Sequence, residues 1–272
     1  MTRSGARTSY ARVARLTELT DGMSGATMAS GPHRLRTVTQ IRAVIFDLDG
    51  TLIDHVGSAT KALEGWLPEL GATLTGELTA AWFVAEEKHF PAWRCREITF
   101  AEQRRRRLRD FLPLIDSPVG DDAELDEVFC GYLKHYEAAW TCFDDVEATL
   151  EEISRLPVIT AVLTNGTDEQ QLAKLKAVGL EGRFSHVFTA ESLGAGKPDL
   201  STYRSVCEVL NIDVESALHV GDLYELDVAA PREAGLQAVH LDRADAGPSD
   251  EPARVRSLRD IPALLRSRRD EM

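Results

Sequence analysis

From Ile41 onward the chain alternates between short apolar runs and longer amphipathic stretches. The first run, Arg42-Ala-Val-Ile-Phe-Asp-Leu-Asp49, is four apolar residues closed by acids and Gly50-Thr51. A brief apolar run ended by a turn residue reads as a buried strand. Four further runs behave the same way: Val158–Leu163, His186–Ala190, Ala217–Val220 and Gln237–Leu241. Helical periodicity fills the intervals near 144–156, 167–179, 199–211 and 225–235. Strands alternating with helices predict an α/β fold, a three-layer Rossmann-like core with a parallel sheet covered on both faces. In such sheets ligands bind beyond the carboxyl ends of the strands.

Residues 56–142 break that rhythm. They hold no convincing strand. Helical segments near 56–69, 77–93, 99–112 and 122–140 are punctuated by Pro68, Gly71, Gly76, Pro91, Pro113, Pro118 and Gly120. All four tryptophans (66, 82, 93 and 140) fall in this span. An inserted α-helical domain with its own core is the economical reading. The expected division is then an N-terminal extension at 1–40, a core at 41–55 and 143–243, the insert at 56–142, and a C-terminal segment at 244–272 with a short helix near 261–268.

Residues 1–40 carry six arginines against Glu18 and Asp21, many Ser, Thr and Gly, and no apolar period. Disorder is the expectation there. Such a start resembles an organelle transit peptide; synthesis beginning at Met23 or Met28 is the favoured reading. The 272 residues carry 44 acidic and 31 basic side chains, a net charge of −13. That balance disfavours nucleic acid as a partner. No run reaches the roughly 18 apolar residues of a membrane span, and no secretory signal precedes the core. Four cysteines without a Cys-x-x-Cys pair point to reduced, buried thiols in a cytoplasmic protein.

Each predicted strand is followed by polar chemistry. Asp47-Leu-Asp49-Gly-Thr51 follows the first, Thr164-Asn165-Gly166 the second, Gly196-Lys197-Pro198-Asp199 the third, and Gly221-Asp222, continuing to Asp227, the fourth. The topology places these on one edge of the sheet. Several carboxylates held together repel unless a cation compensates. An oxygen-rich donor set suits Mg²⁺, which takes one or two carboxylates, waters and phosphate oxygens. With a lysine, a threonine hydroxyl and glycine-flanked N–H groups added, the set suits a phosphoryl group. One carboxylate can serve as nucleophile and another, two residues on, can protonate the leaving oxygen.

With those motifs in that order, the chain resembles the haloacid dehalogenase superfamily of hydrolases, in the group whose helical cap is inserted after the first motif. The resemblance covers about residues 41–243. It implies Asp47 as nucleophile and Asp49 as general acid, then general base. It implies Thr164, with the Asn165 and Gly166 amides, as holders of phosphate oxygens, and Lys197 as the neutralising cation. Mg²⁺ would be held by the Asp47 carboxylate, the Asp49 carbonyl and Asp222. Asp227 would support the metal's waters or orient Lys197. Asp49 favours a phosphatase over a dehalogenase, because a halide leaves without needing a proton.

The expected function is therefore Mg²⁺-dependent hydrolysis of a small phosphorylated metabolite, by a monomer or homodimer. Phosphatases of phosphoglycolate, nucleoside monophosphates and acylneuraminate phosphate look comparably close. A phosphosugar mutase is the alternative, and a dehalogenase or a non-catalytic binding protein stands behind it. The fourth motif departs from the usual polar filling at Leu223-Tyr-Glu-Leu226, with Pro231 following closely; Glu225 is a possible extra ligand better read as a surface residue. In the insert, Lys88, His89, Arg94 and Arg96 are candidates to meet a substrate anion, with solvated surface the favoured reading. At least one arginine of the run Arg104–Arg107 should pair with an acid of the insert. The tryptophans should be insert core or interface.

Overall fold

The computed structural model describes residues 40–270; the expected extension at 1–40 lies almost wholly outside them. Six strands form one parallel sheet in the order β3-β2-β1-β4-β5-β6. They are β1 (Ala43–Phe46), β2 (Ile159–Thr164), β3 (His186–Thr189), β4 (Ala217–Gly221), β5 (Gln237–Leu241) and β6 (Arg254–Val255). The first five match the sequence expectation. The sixth lies in the C-terminal segment and was not foreseen. Two residues following Pro252 carry no readable alternation, and only the edge of β5 recruits them, through His240 to Arg254 and Leu241 to Val255.

Strand periodicity of two divides β1 between the two faces. Val44 and Phe46 join a cluster with Leu150, Ile153, Ile261 and Leu265 on one side. Ala43 and Ile45 join one with Tyr203, Val206 and Leu210 on the other. The chain crosses from β1 to β2 and β3 on one side, then returns to place β4 against β1 on the other. The carboxyl ends of β1, β2 and β4 therefore meet at the point where strand order reverses, the crevice where such sheets bind ligands.

The segment inserted after β1 holds the α-helices α1 (His55–Trp66), α2 (Gly76–Arg94), α3 (Phe100–Phe111) and α4 (Asp122–Ala138). Their starts follow capping chemistry. Thr75 and Thr99 accept N–H bonds from residues three ahead, and Asp121 with Glu124 forms a reciprocal capping box. Pro91 does not end α2, which continues to Arg94. The segment enters and leaves through one narrow connection, where Asp54 N–H donates to the Thr141 carbonyl and Phe143 N–H to Leu52. Its apolar side chains form a cluster separate from the two flanking the sheet, built on Trp66, Trp82, Phe111, Phe129, Tyr132 and Tyr136. Two tryptophans are thus core of the insert, as expected, while Trp140 is partly buried against it.

The core helix α5 (Val146–Ile153) leads into β2, and after β2 come α6 (Asp168–Ala177), α7 (Ala190–Leu193) and α8 (Leu200–Val209). The helix expected at 225–235 is in fact two pieces, a π-helical turn at Tyr224–Ala229 and α9 (Ala230–Ala234). Pro231 stands in the first turn of α9, where its missing N–H has no partner to lose. The chain ends in α10 (Ile261–Asp270). Among the described residues no helix is long and apolar enough to cross a membrane. All four cysteines are free, but only Cys207 is buried; Cys95 and Cys130 are exposed, against the expectation of buried thiols.

Phe111 tests the insert's separate core. It is fully buried, with its ring 4.9 Å from that of Trp82. Phe111→Ala should lower unfolding free energy by about 3–5 kcal/mol, read by urea denaturation. A loss under 1 kcal/mol would mean the cluster contributes little.

Candidate active site

The centre of the site is an ion triplet. Lys197, reaching in from the loop after β3, is 2% exposed. Its Nζ donates to Asp47 Oδ1 and to Asp227 Oδ1, both at 2.6 Å. Asp47 sits just past β1, its N–H held by the Val220 carbonyl of β4 at 2.9 Å. Asp227 lies in the π-helical turn, which swings its carboxylate under the end of β4. Its Oδ1 also accepts from His219 Nε2 at 3.0 Å, and its Oδ2 accepts the Leu223 N–H at 3.0 Å. Both of its oxygens are therefore engaged by protein donors.

The electrostatics follow from burial. Desolvation pushes the Asp47 carboxyl up to about 7, with Lys197 pulling the other way and Asp227 adding to the rise. Desolvation, then repulsion from Asp47 and Asp227, raises Asp222 well above the usual carboxylate range. Burial would raise Asp227 too, but Lys197 and His219 outweigh it and hold its carboxyl below that range. Burial lowers the His219 imidazole despite Asp227, so the ring is neutral and donates through Nε2.

Asp47, Asp222 and Asp227 each bring a carboxylate oxygen within 4.8 Å of the others. Asp222 Oδ1 is buried with no hydrogen-bond partner. Gly50, at φ +93°, passes so close to the Asp222 carboxylate that a Cβ there would collide with it. A buried carboxylate oxygen without a donor, beside two other acids, is the donor chemistry of a hard divalent cation. The residues present fit Mg²⁺. Glu225 is exposed, as expected of a surface residue.

Thr164 is the last residue of β2 and is buried beside this cluster, and Asn165 and Gly166 open the loop beyond it. The Asn165 side chain performs a task that the sequence did not reveal. Its amide donates to the Lys197 carbonyl and its oxygen accepts the Lys197 N–H, both at 2.7 Å. The second and third motifs are thereby tied together, and Lys197 is aimed from its own backbone. Gly166 leaves room for Gln171, which a Cβ would strike.

Asp49 does not join the acid cluster by its side chain. It bonds the Lys174 Nζ at 2.6 and 2.7 Å and Gln171 Nε2 at 3.3 Å. Burial would raise its carboxyl, but Lys174 and then His55 outweigh burial and hold it low. Lys174 is 3% exposed on α6, with the Tyr136 ring of α4 5.5 Å from its Nζ. Sequence reasoning missed Lys174. The available signal was Gln171 and Lys174 at i, i+3, on the face that also buries Leu175.

Behind Asp49 the insert buries a polar chain. Arg107 Nη2 donates to Glu86 at 2.7 Å, Glu86 meets His55 Nε2 at 3.2 Å, and His55 Nδ1 lies 2.6 Å from the Tyr136 hydroxyl. Burial opposes ionisation of Glu86, yet Arg107 and His55 lower its carboxyl to about 2. The expected pairing of the arginine run is met: Arg105 reaches Asp126, Arg106 reaches Glu102, and Arg107 reaches Glu86. Lys88 and His89 both bond Asp110 and do not face the acid cluster. Arg94, Arg96 and Trp93, by contrast, line a cavity that also includes Asn165, Gly166 and Lys197.

The comparisons agree with this fold. A family model of haloacid dehalogenase-like hydrolases matches residues 41–235. The phosphoglycolate phosphatase of Neisseria meningitidis is 29% identical over 225 residues, covering 74% of this chain and 80% of that one. The phosphoserine phosphatase of Thermus thermophilus is 35% identical over 142 residues, covering 51% of this chain and 55% of that protein. The crystal structure of the HAD-hydrolase YfnB from Bacillus subtilis bound to magnesium superposes with a TM-score of 0.71 over 84% of this chain and 99% of that one. At 22% identity that likeness shows the fold alone. The family model spans most of the chain and takes in strands β1 to β4 and the insert together. The chain belongs to the haloacid dehalogenase-like hydrolases and is an enzyme.

Divalent-cation binding tests the acid cluster. Ligand carboxylates must be deprotonated. With Asp47 pushed up to about 7 in the metal-free protein, protons compete below that value. Mg²⁺ affinity measured calorimetrically should rise with pH through about 7 as Asp47 and the likewise raised Asp222 lose their protons, and Asp222→Asn should weaken it at least about tenfold. An affinity unchanged between pH 6 and 8 contradicts the assignment.

Proposed function

We propose that the protein is a Mg²⁺-dependent phosphatase that hydrolyses a small phosphorylated metabolite through an aspartyl-phosphate on Asp47. The observation that carries this reading is the Asp47–Lys197 pair at 2.6 Å, beside a carboxylate oxygen of Asp222 that lacks a donor. The phosphatase names of the two sequence relatives support it.

In this reading an Asp47 carboxylate oxygen forms the new bond to phosphorus as the ester P–O bond breaks. Lys197 neutralises the transferring oxygens, kept in place by Asp227 and by the Asn165 clamp on its backbone. The Thr164 hydroxyl and the amides of Asn165 and Gly166 hold the remaining phosphoryl oxygens. Asp49 passes a proton to the leaving oxygen. It then takes one from the water that attacks phosphorus, releasing inorganic phosphate and restoring Asp47. Asp47, Asp222 and the Asp49 carbonyl would hold Mg²⁺, which would supply charge neutralisation on the phosphoryl group. Asp227, with both oxygens on protein donors, orients Lys197 in place of ligating the ion.

The Lys174 contact bears on which half of the reaction this state represents. Asp49 held as a carboxylate is ready to act as base. Acting first as acid requires that it take up a proton, which Lys174 opposes. The four-helix insert acts as a cap on the core that excludes bulk water and reads the leaving group. A small metabolite fits beneath such a lid, and a cytoplasmic setting suits the free thiols.

Phosphate release from a panel of sugar phosphates, nucleotides, carboxylated phosphoesters and an aryl phosphate tests the proposal. Release that needs Mg²⁺, vanishes in Asp47→Asn and falls about 10²- to 10⁴-fold in Asp49→Asn is expected. Isomerised product without free phosphate would indicate a mutase instead. Lys174→Met removes the cation that lowers Asp49, so the acid limb of the kcat profile should move to higher pH. A profile that stays put would show that Lys174 does not tune the base.

A further inference from the structure

The C-terminal end of α2 passes over the phosphate-side loops. Trp93, Arg94 and Arg96 face Asn165, Gly166 and Lys197 across a cavity of about 210 Å³. The two arginines differ in what they have already bonded. Arg96, in a left-handed conformation at φ 59°, gives a guanidinium N–H to the Gly194 carbonyl, closing the insert onto the loop that carries Lys197. Arg94 is half-buried, and its guanidinium meets only the Phe90 ring, 6.0 Å away. Among the described residues no carboxylate or carbonyl accepts from it. Elsewhere in the insert Arg105, Arg106, Arg107 and Arg109 are each paired with an acid, and Arg104, away from the cavity lining, stacks on the Phe100 and Phe129 rings.

The charge inside the cavity is one-sided. Lys197 is already matched by Asp47 and Asp227. Glu191 is the only acid on the lining, and one of its oxygens accepts the Asp168 N–H. A guanidinium without an acceptor, at the mouth of a site for one anionic group, is suited to a second anion on the same molecule. The cavity is smaller than the roughly 300–1,000 Å³ of pockets for drug-sized ligands, so the group between the two anions must be short.

We propose that Arg94 is a specificity-determining residue, and that the preferred substrate is a short phosphomonoester whose leaving group ends in a second anion, a carboxylate or a phosphate. The proposal rests on the phosphatase reading above and adds the substrate class to it. Placed in the cavity, the scissile phosphate takes the Thr164–Gly166 and Lys197 end. The second anion takes the two-pronged Arg94 end, with Trp93 as an apolar wall.

The test compares kcat/KM for four esters with Mg²⁺ present. Ethyl phosphate, whose leaving group is uncharged, is the reference. 2-Phosphoglycolate replaces its methyl by a carboxylate, and ethylene glycol bisphosphate carries a second phosphate at similar length. p-Nitrophenyl phosphate reports the reaction class. One of the two esters with a second anionic group should exceed ethyl phosphate by on the order of 100-fold, and which one does so identifies the anion. Arg94→Gln should cut that preference about 10- to 100-fold, mainly through KM. Arg94→Lys should retain part of it, and Arg109→Gln, on the outer face of the insert, should leave the ratio as in wild type. A wild-type ratio near one overturns the proposal. So does an Arg94→Gln protein in which both rates fall together at constant ratio, since that is a structural loss. Absence of release from all four, aryl ester included, instead overturns the phosphatase reading and the substrate class with it.

Discussion

Three carboxylates, those of Asp47, Asp222 and Asp227, are gathered at the carboxyl ends of β1 and β4 around a single buried ammonium, Lys197. One positive charge cannot match three acids in a desolvated crevice. Breaking either Lys197 pair would strand a buried charge, at a cost of about 3–5 kcal/mol. Much of the surrounding structure answers this imbalance. The Asn165 side chain grips the Lys197 backbone, His219 and the Leu223 N–H hold Asp227, and Gly50 makes room for Asp222. What is left over is a deficit of positive charge, with the oxygen donors that suit a divalent cation.

A second buried network runs through the helical insert and ends at the same site. Arg107, Glu86, His55 and Tyr136 form a chain of contacts from the insert's core to the neighbourhood of Lys174 and Asp49. Its members come from all four insert helices, α1 to α4, and from the core helix α6. His55 stands one residue past the narrow connection where Asp54 and Phe143 bond across to residues 141 and 52. The network brings the insert's polar interior up to Lys174, the cation that holds the Asp49 carboxyl low.

Much of this was legible from residue order. The five longer strands, the four insert helices and the four polar clusters followed from periodicity and punctuation, because each strand is a short apolar run closed by turn chemistry. Asp47, Lys197, Asp222 and Asp227 lie together at the sheet edge, and Thr164 ends the neighbouring strand β2. The missed residues share one property: each acts through a partner distant in sequence. Lys174 reads as an ordinary helix lysine until α6 is laid against the Asp49 loop. His219 reads as a strand residue until the π-helical turn brings Asp227 beneath it. The Asn165 side chain reads as turn chemistry until its partner 32 residues away is seen. β6 and the π-turn were missed because two-residue pairing and an i→i+5 bond leave no period in sequence.

The sequence by itself determined the layer architecture, the insertion point and the set of groups at the sheet edge. Those depend on local period, on turn residues and on the rule that parallel strands present their ends together. Only the tertiary structure decided how the charges are apportioned. It set Lys197 between Asp47 and Asp227, turned Asp49 toward Lys174, left an Asp222 oxygen without a donor, and left Arg94 without an acid. Charge pairing depends on distance and on exclusion of water, and neither is defined until the helices close on the sheet.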